Sequence, residues 1–181
     1  LLPFAAALKT PGITVSPGVA QPAEDEEAWD RTVAALREMY SAAHEAGLRL
    51  SFEPHLDSMA TTPEQALKLV KDVPGLEITL DWAHMVCQDI FHDEITKLLP
   101  HVRHVQIRQA ARQQLQTPFE RGRIDLTRVI ADLQAAYYES VVCIELMNIP
   151  GWHGMMKVDV TRESLKLRTA LKAARDSQPT E

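Results

Sequence analysis

Glu53, Asp81, Gln106 and Glu145 each stand near the far end of a short run in which apolar residues alternate with polar or small ones. The runs are RLSFEP, LEITLD, VRHVQI and VVCIEL, and a helix-like stretch follows each. Alternation with a period of two marks a strand. Phe52, Leu80, Val105 and Ile144 therefore share one face, and Glu53, Asp81, Gln106 and Glu145 share the other. If the strands run parallel, four oxygen donors converge at one end of a sheet. Three carboxylates and an amide oxygen suit a hard or borderline divalent ion, Mn²⁺ or Mg²⁺ first, with Co²⁺ or Zn²⁺ as further candidates.

The elements that must position these residues alternate along the chain. A strand over 12–17 precedes a helix over 26–46, where Trp29, Val33, Leu36, Tyr40 and Ala43 recur at helical spacing and Gly47 ends the run. A strand over 48–53 leads to a helix that Thr62 caps and Pro63 opens. Pro74-Gly75 breaks that helix before a strand over 76–81. A helix over 89–99 stops at Pro100, and a strand over 102–107 follows. A polar loop over 108–123 leads to a helix over 125–137, a strand over 141–145, a Gly/Pro loop and a last helix over 161–174. The opening LLPFAAALKT reads as the tail of a helix whose start is missing, not as a signal peptide, and the closing DSQPTE reads as frayed.

Strand–helix alternation with short connections implies βα units and a parallel sheet. A doubly wound sheet buries both faces, and its strands read as continuous apolar runs. Here Ser51 and Glu53, Glu77 and Asp81, and His104 and Gln106 keep one face polar, which suits a barrel lumen with a site at its mouth. A closed (β/α)₈ barrel needs eight strands in about 250 residues. The expectation is therefore one α/β domain over residues 1–181, an N-terminally incomplete TIM barrel of about five βα units. Its outer strands would be unpaired edges, which missing residues or a partner chain, such as a second copy, would cover.

Composition narrows the function classes. The 181 residues are 45% hydrophobic with a net charge of −6, enough for a core and wrong in sign for nucleic-acid binding through bulk charge. No run reaches the roughly 18 apolar residues of a membrane span. Cys87 and Cys143 have neither zinc nor disulfide spacing, which suits a reducing, cytoplasmic setting.

Four motifs in order, FEPH, LDWAH, RHVQI and IEL, resemble strands five to eight of the xylose-isomerase-like TIM barrels. That superfamily of sugar (phosphate) isomerases and epimerases also holds hydroxypyruvate isomerases, inosose and dehydroshikimate dehydratases, and type-IV endonucleases. The resemblance covers nearly the whole chain but only strands four to eight of the family fold. It implies that Glu53, Asp81, Gln106 and Glu145 bind the metal, and that Glu53 and Glu145 also move protons on opposite faces of a sugar. His84 falls on the family's Asp-x-x-His pattern, and Arg112 on its substrate-binding Arg, six residues past Gln106. Gln106 stands where the epimerases carry His, which is closer to hydroxypyruvate isomerases and some dehydratases. His104 is either a ligand or a donor behind the ligands. The type-IV endonucleases have many more strand-end histidines and a basic face, and this chain lacks both.

Each residue also has a plainer reading. Asp81 alone would serve as a helix N-cap, Gln106 as a bonded lumen amide, and Arg112 as a solvated charge. The chemistry gives the set its coherence: abstracting a proton beside a carbonyl needs a base within reach and a cation for the developing oxyanion. The expectation is a divalent-metal-dependent isomerase or epimerase of a small sugar or hydroxy-carbonyl acid, working through an enediolate. The alternatives are a dehydratase on the same site, or an inactive fragment or binding protein of the same fold.

Overall fold

The computed structural model describes residues 1–22 and 24–177. The end of the DSQPTE tail, 178–181, lies outside them. The strands are β1 (Gly12–Val15), β2 (Arg49–Phe52), β3 (Glu77–Asp81), β4 (Val102–Ile107) and β5 (Val142–Ile144). They form one sheet in the order β1-β2-β3-β4-β5. The β1–β2, β2–β3 and β4–β5 pairs are parallel. Neighbours in sequence are neighbours in the sheet, as successive βα units require. By contact density the chain divides into two compact units, Leu1–Leu80 with His101–His104, and Asp81–Pro100 with Val105–Glu181.

In the first unit, α1 (Leu2–Ala7) carries Pro3 in its first turn and precedes β1. The 20-residue α2 (Glu26–Glu45) starts at Asp25, whose carboxylate accepts from Ala28 N, and turns Leu36 and Ala43 inward. The sequence signal at Thr62-Pro63 is realised in full. Thr62 and Gln65 close a capping box, and α3 (Pro63–Asp72) buries Ala66 and Leu69. Leu50, Phe52, Ile78 and Leu80 of β2 and β3 are almost wholly buried. The opposite face carries hydroxyls. Thr14 Oγ1 lies 3.1 Å from Ser51 Oγ and 2.8 Å from Thr79 Oγ1, and Ser51 and Thr79 are 2.8 Å apart. Arg103 Nη2 donates to Ser51 Oγ at 3.2 Å. Gly75 adopts φ +92°, and a Cβ there would come within 2.2 Å of the Tyr40 hydroxyl.

The second unit departs from expectation after β3. The single helix expected over 89–99 is instead α4 (Trp82–Cys87), α5 (His92–Ile95) and a 3₁₀ turn, Thr96–His101, that contains Pro100. Asp81 causes the early start: its Oδ1 accepts from Ala83 N at 2.9 Å and caps α4. Asp89, at φ +62°, separates the two helices. Trp82, Met85, Ile95, Leu98, Val105, Ile107, Leu115 and Val129 are fully buried here. The later helices are α6 (Leu126–Ala135) and α7 (Val160–Asp176), which pack on one another, and α7 also meets β5.

The long loop after β4 is held by amide side chains. Gln109 brackets Ile124, donating to its carbonyl at 3.0 Å and accepting from its N–H at 3.1 Å. Gly122 leaves room for that side chain, because a Cβ there would sit 1.9 Å from Gln109 Oε1. Gln116 brackets Met147 in the same way, with both bonds at 2.8 Å. Among the described residues, no helix is long and apolar enough to cross a membrane.

Candidate active site

Asp81 ends β3 and begins α4, so one side chain serves two elements. Its Oδ1 is spent on the helix cap. Its Oδ2 accepts from Arg108, from Nε at 3.1 Å and from Nη2 at 2.5 Å. The same Nη2 donates to Glu145 Oε2 at 3.2 Å. Both Asp81 and Arg108 are fully buried, while the Glu145 side chain keeps 28% exposure. Arg108 thus ties together the carboxylates that end β3 and follow β5.

The charges of Asp81, Arg108 and Glu145 sum to −1 and stand largely out of water. Burial pushes the Glu145 carboxyl above the ordinary carboxylate range; Arg108 pulls it back and Asp81 adds to the rise. His84, on α4 and 3% exposed, brings Nε2 to 3.9 Å from Asp81 Oδ2, beyond a hydrogen bond. Gln106 has its Oε1 buried without a hydrogen-bond partner among the described residues. A buried carbonyl oxygen left in that state is costly unless a donor or a cation meets it.

The sequence-based residues therefore fall into three groups. Asp81, Glu145 and His84 come together in the second unit, with Gln106 on β4 of the same unit. Glu53 and His104 belong to the first unit. Glu53 follows β2 directly, half-buried, with its N–H donating to Val15 O at 3.0 Å. His104, on β4, is held below its ordinary pKa first by burial and then by Arg103. Arg112 is exposed and lies 3.6 Å from Asp89. The functional residue that the sequence reading passed over is Arg108. Its signal was present: Arg108 lies two residues past Gln106, so the alternation that turns Gln106 inward turns Arg108 inward as well.

With this geometry in view, the sequence matches the profile described as "Xylose isomerase-like TIM barrel" over residues 1–171. The chain belongs to that family. Its fold is a partial TIM barrel of the xylose isomerase-like type, with five parallel strands. The L-ribulose 3-epimerase structure superposes with a TM-score of 0.75 at 17% identity, covering 99% of this chain and 69% of that one. The 3-keto-D-glucoside 4-epimerase from E. coli gives 0.70 at 19% identity, with 97% and 67% covered. A probable 3-DHS dehydratase from Bacillus anthracis gives 0.74 at 17% identity, with 93% and 66% covered. Against D-allulose 3-epimerase from Methylomonas sp. the chain spans 54% of that protein's length. No curated protein matches the sequence. At these identities the likeness concerns the fold, and sugar epimerases recur among the structures that share it.

The donor chemistry of the second unit fits a divalent ion of the harder kind. It offers two carboxylates, an imidazole, and an amide oxygen that lacks a partner. Asp81 and Glu145 already face a cation, the Arg108 guanidinium.

Proposed function

We propose that the chain carries the acid–base machinery of an isomerase or epimerase acting on a small sugar or hydroxy-carbonyl acid. The observation that carries this reading is the Asp81–Arg108–Glu145 cluster, at the carboxyl end of β3 and just past β5. In barrels of this type the strands' carboxyl ends hold the chemistry. Glu145 suits proton transfer because its carboxyl is partly exposed and burial raises its pKa above the ordinary carboxylate range, which makes it a better base. Glu53 is the second acid–base group of the reading, acting on the opposite face of the substrate. His84 would donate to a substrate oxygen, with His104 and Arg112 as further binding residues.

The divalent ion of the reading, Mn²⁺ or Mg²⁺, would be held by Glu53, Asp81, Gln106 and Glu145. When bound, it supplies positive charge beside the substrate carbonyl oxygen and so makes the neighbouring C–H more acidic. Glu145 then needs only to accept that proton, and Glu53 to return one to the other face for epimerisation. In the ion's absence Arg108 bridges the two carboxylates of the second unit and fixes their orientation. A cytoplasmic setting, a single domain and self-association across the sheet edges complete the proposal; both cysteines are unpaired, as a reducing compartment requires.

Gln106 favours a second reading, because the epimerase pattern has His there: the same base could begin elimination of water from an inosose or dehydroshikimate-like substrate. The deciding experiment incubates the protein with ketoses, hydroxypyruvate, inosose and dehydroshikimate in D₂O and follows the reaction by NMR. Deuterium appearing at the carbon beside the carbonyl, with loss of signal in Glu145→Gln, supports proton transfer. A new conjugated product marks the dehydratase. No exchange with any of these substrates refutes both.

A further inference from the structure

We propose that Arg108 is the resident counter-cation of the Asp81–Glu145 pair, and that this guanidinium and a divalent ion compete for the same carboxylate oxygens. The inference rests on the proposed ligand set and deepens it. Asp81 has both oxygens engaged: Oδ1 accepts from Ala83 N, and Oδ2 from Arg108 Nε and Nη2. Glu145 Oε2 accepts from the same Nη2. A metal ion that takes Asp81 Oδ2 or Glu145 Oε2 needs it at a bond length shorter than a hydrogen bond, at a place the guanidinium now holds.

The two cations cannot readily share the site. Arginine stays protonated at any pH a protein survives, so it cannot give way by losing charge. The side chain is fully buried, so little water screens its repulsion of a second positive centre. An ion that binds Asp81 through Oδ2 therefore displaces Arg108 from it. The same contacts give Asp81 and Glu145 a counter-cation when no ion is bound. Arg108 thereby sets a threshold on metal affinity that the carboxylates alone would not impose. Gln106 Oε1, buried and lacking a hydrogen bond, marks where a donor is still wanted after Arg108 has taken the carboxylates.

The test is calorimetric titration of the metal-stripped protein with MnCl₂, for wild type, Arg108→Gln and Arg108→Lys. Gln keeps an N–H donor toward Asp81 but removes the charge; Lys keeps the charge. The expected result is at least tenfold tighter Mn²⁺ binding by Arg108→Gln, with Arg108→Lys within about threefold of wild type. Equal or weaker binding by Arg108→Gln overturns the proposal. If Arg108→Gln does not fold in EDTA, the carboxylates have lost a cation they need, and Mn²⁺ should restore the native circular dichroism. Failure of Mn²⁺ to restore it overturns the proposal too. Neither readout needs a substrate. Tighter binding without deuterium exchange on any sugar would sink the proposed reaction and leave the competition standing.

Discussion

Asp81→Asn isolates the charge that Asp81 supplies. Asn is about as good an N-cap as Asp, so α4 keeps its first-turn hydrogen bond and the cap contributes almost nothing to the change. What disappears is the negative charge that holds a fully buried guanidinium through two hydrogen bonds. Removing one partner of a buried pair costs about 3–5 kcal/mol, because the other charge is left uncompensated. Glu145 remains 3.2 Å from Nη2 and recovers part of that loss. We therefore take the lower end, about 3 kcal/mol. In a chain of this size each kcal/mol moves Tm by about 2–4 °C, so the expected drop is roughly 6–12 °C.

Differential scanning calorimetry in EDTA reads this without interference from metal. Asp81→Ala is the companion, since it also loses the cap, and it should melt about 2–4 °C lower again for the further ~1 kcal/mol. Combining Asp81→Asn with Arg108→Gln should cost less than the sum of the two single changes, as directly bonded partners do. A Tm for Asp81→Asn within about 2 °C of wild type would refute the reasoning, because it would mean that the guanidinium does not depend on the Asp81 charge.

Glu145→Gln should raise stability near neutral pH. The Glu145 pKa is raised by burial, so the folded state holds its proton more tightly than the unfolded chain does. Its stabilising share is full below the unfolded value of about 4.3 and is lost as pH rises through the higher folded value. Melting curves at pH 4 and pH 8 should show the variant's advantage at pH 8 only, and an advantage larger at pH 4 would contradict the assignment. Gly75→Ala should destabilise the first unit by about 1–2 kcal/mol from the left-handed backbone alone, with the Tyr40 hydroxyl forced aside as well. Chemical denaturation would detect that, and an unchanged midpoint would show that the turn relaxes freely.

Local rules with strong signatures are legible in the sequence alone. Thr62-Pro63 announces the start of α3 to the residue, and the alternation in VRHVQI sets the bounds of β4. The same alternation puts Asp81 and Glu145 on one face, and in the structure both meet Arg108. It fails at α4, because WAHMVC is six residues long and too apolar to show a helical period, and because Asp81 reads as either a ligand or a cap. Asp81 caps α4 and pairs with Arg108 together, one oxygen for each. Arg108 escapes notice for a related reason. A basic residue after a strand reads as the start of a solvated loop, and only three-dimensional proximity reveals two carboxylates waiting for it. Gln109 and Gln116 are hidden likewise, since amides that bracket a distant backbone leave no local pattern.

The three hydroxyls that join β1, β2 and β3 bear on how this sequence can drift over generations. Thr14, Ser51 and Thr79 bond to one another in a closed triangle, with Ser51 also receiving from Arg103. Losing one hydroxyl takes one bond from each of the others, in a place where Ser51 and Thr79 have no water to replace it. Replacing all three by aliphatic side chains would remove every unmet demand at once, leaving Arg103 to find another acceptor. Positions 14, 51 and 79 are therefore bound to a common fate although 65 residues separate the first from the last. Lineages should cross between the polar and the apolar layer in one concerted move, because the single steps between them lead downhill.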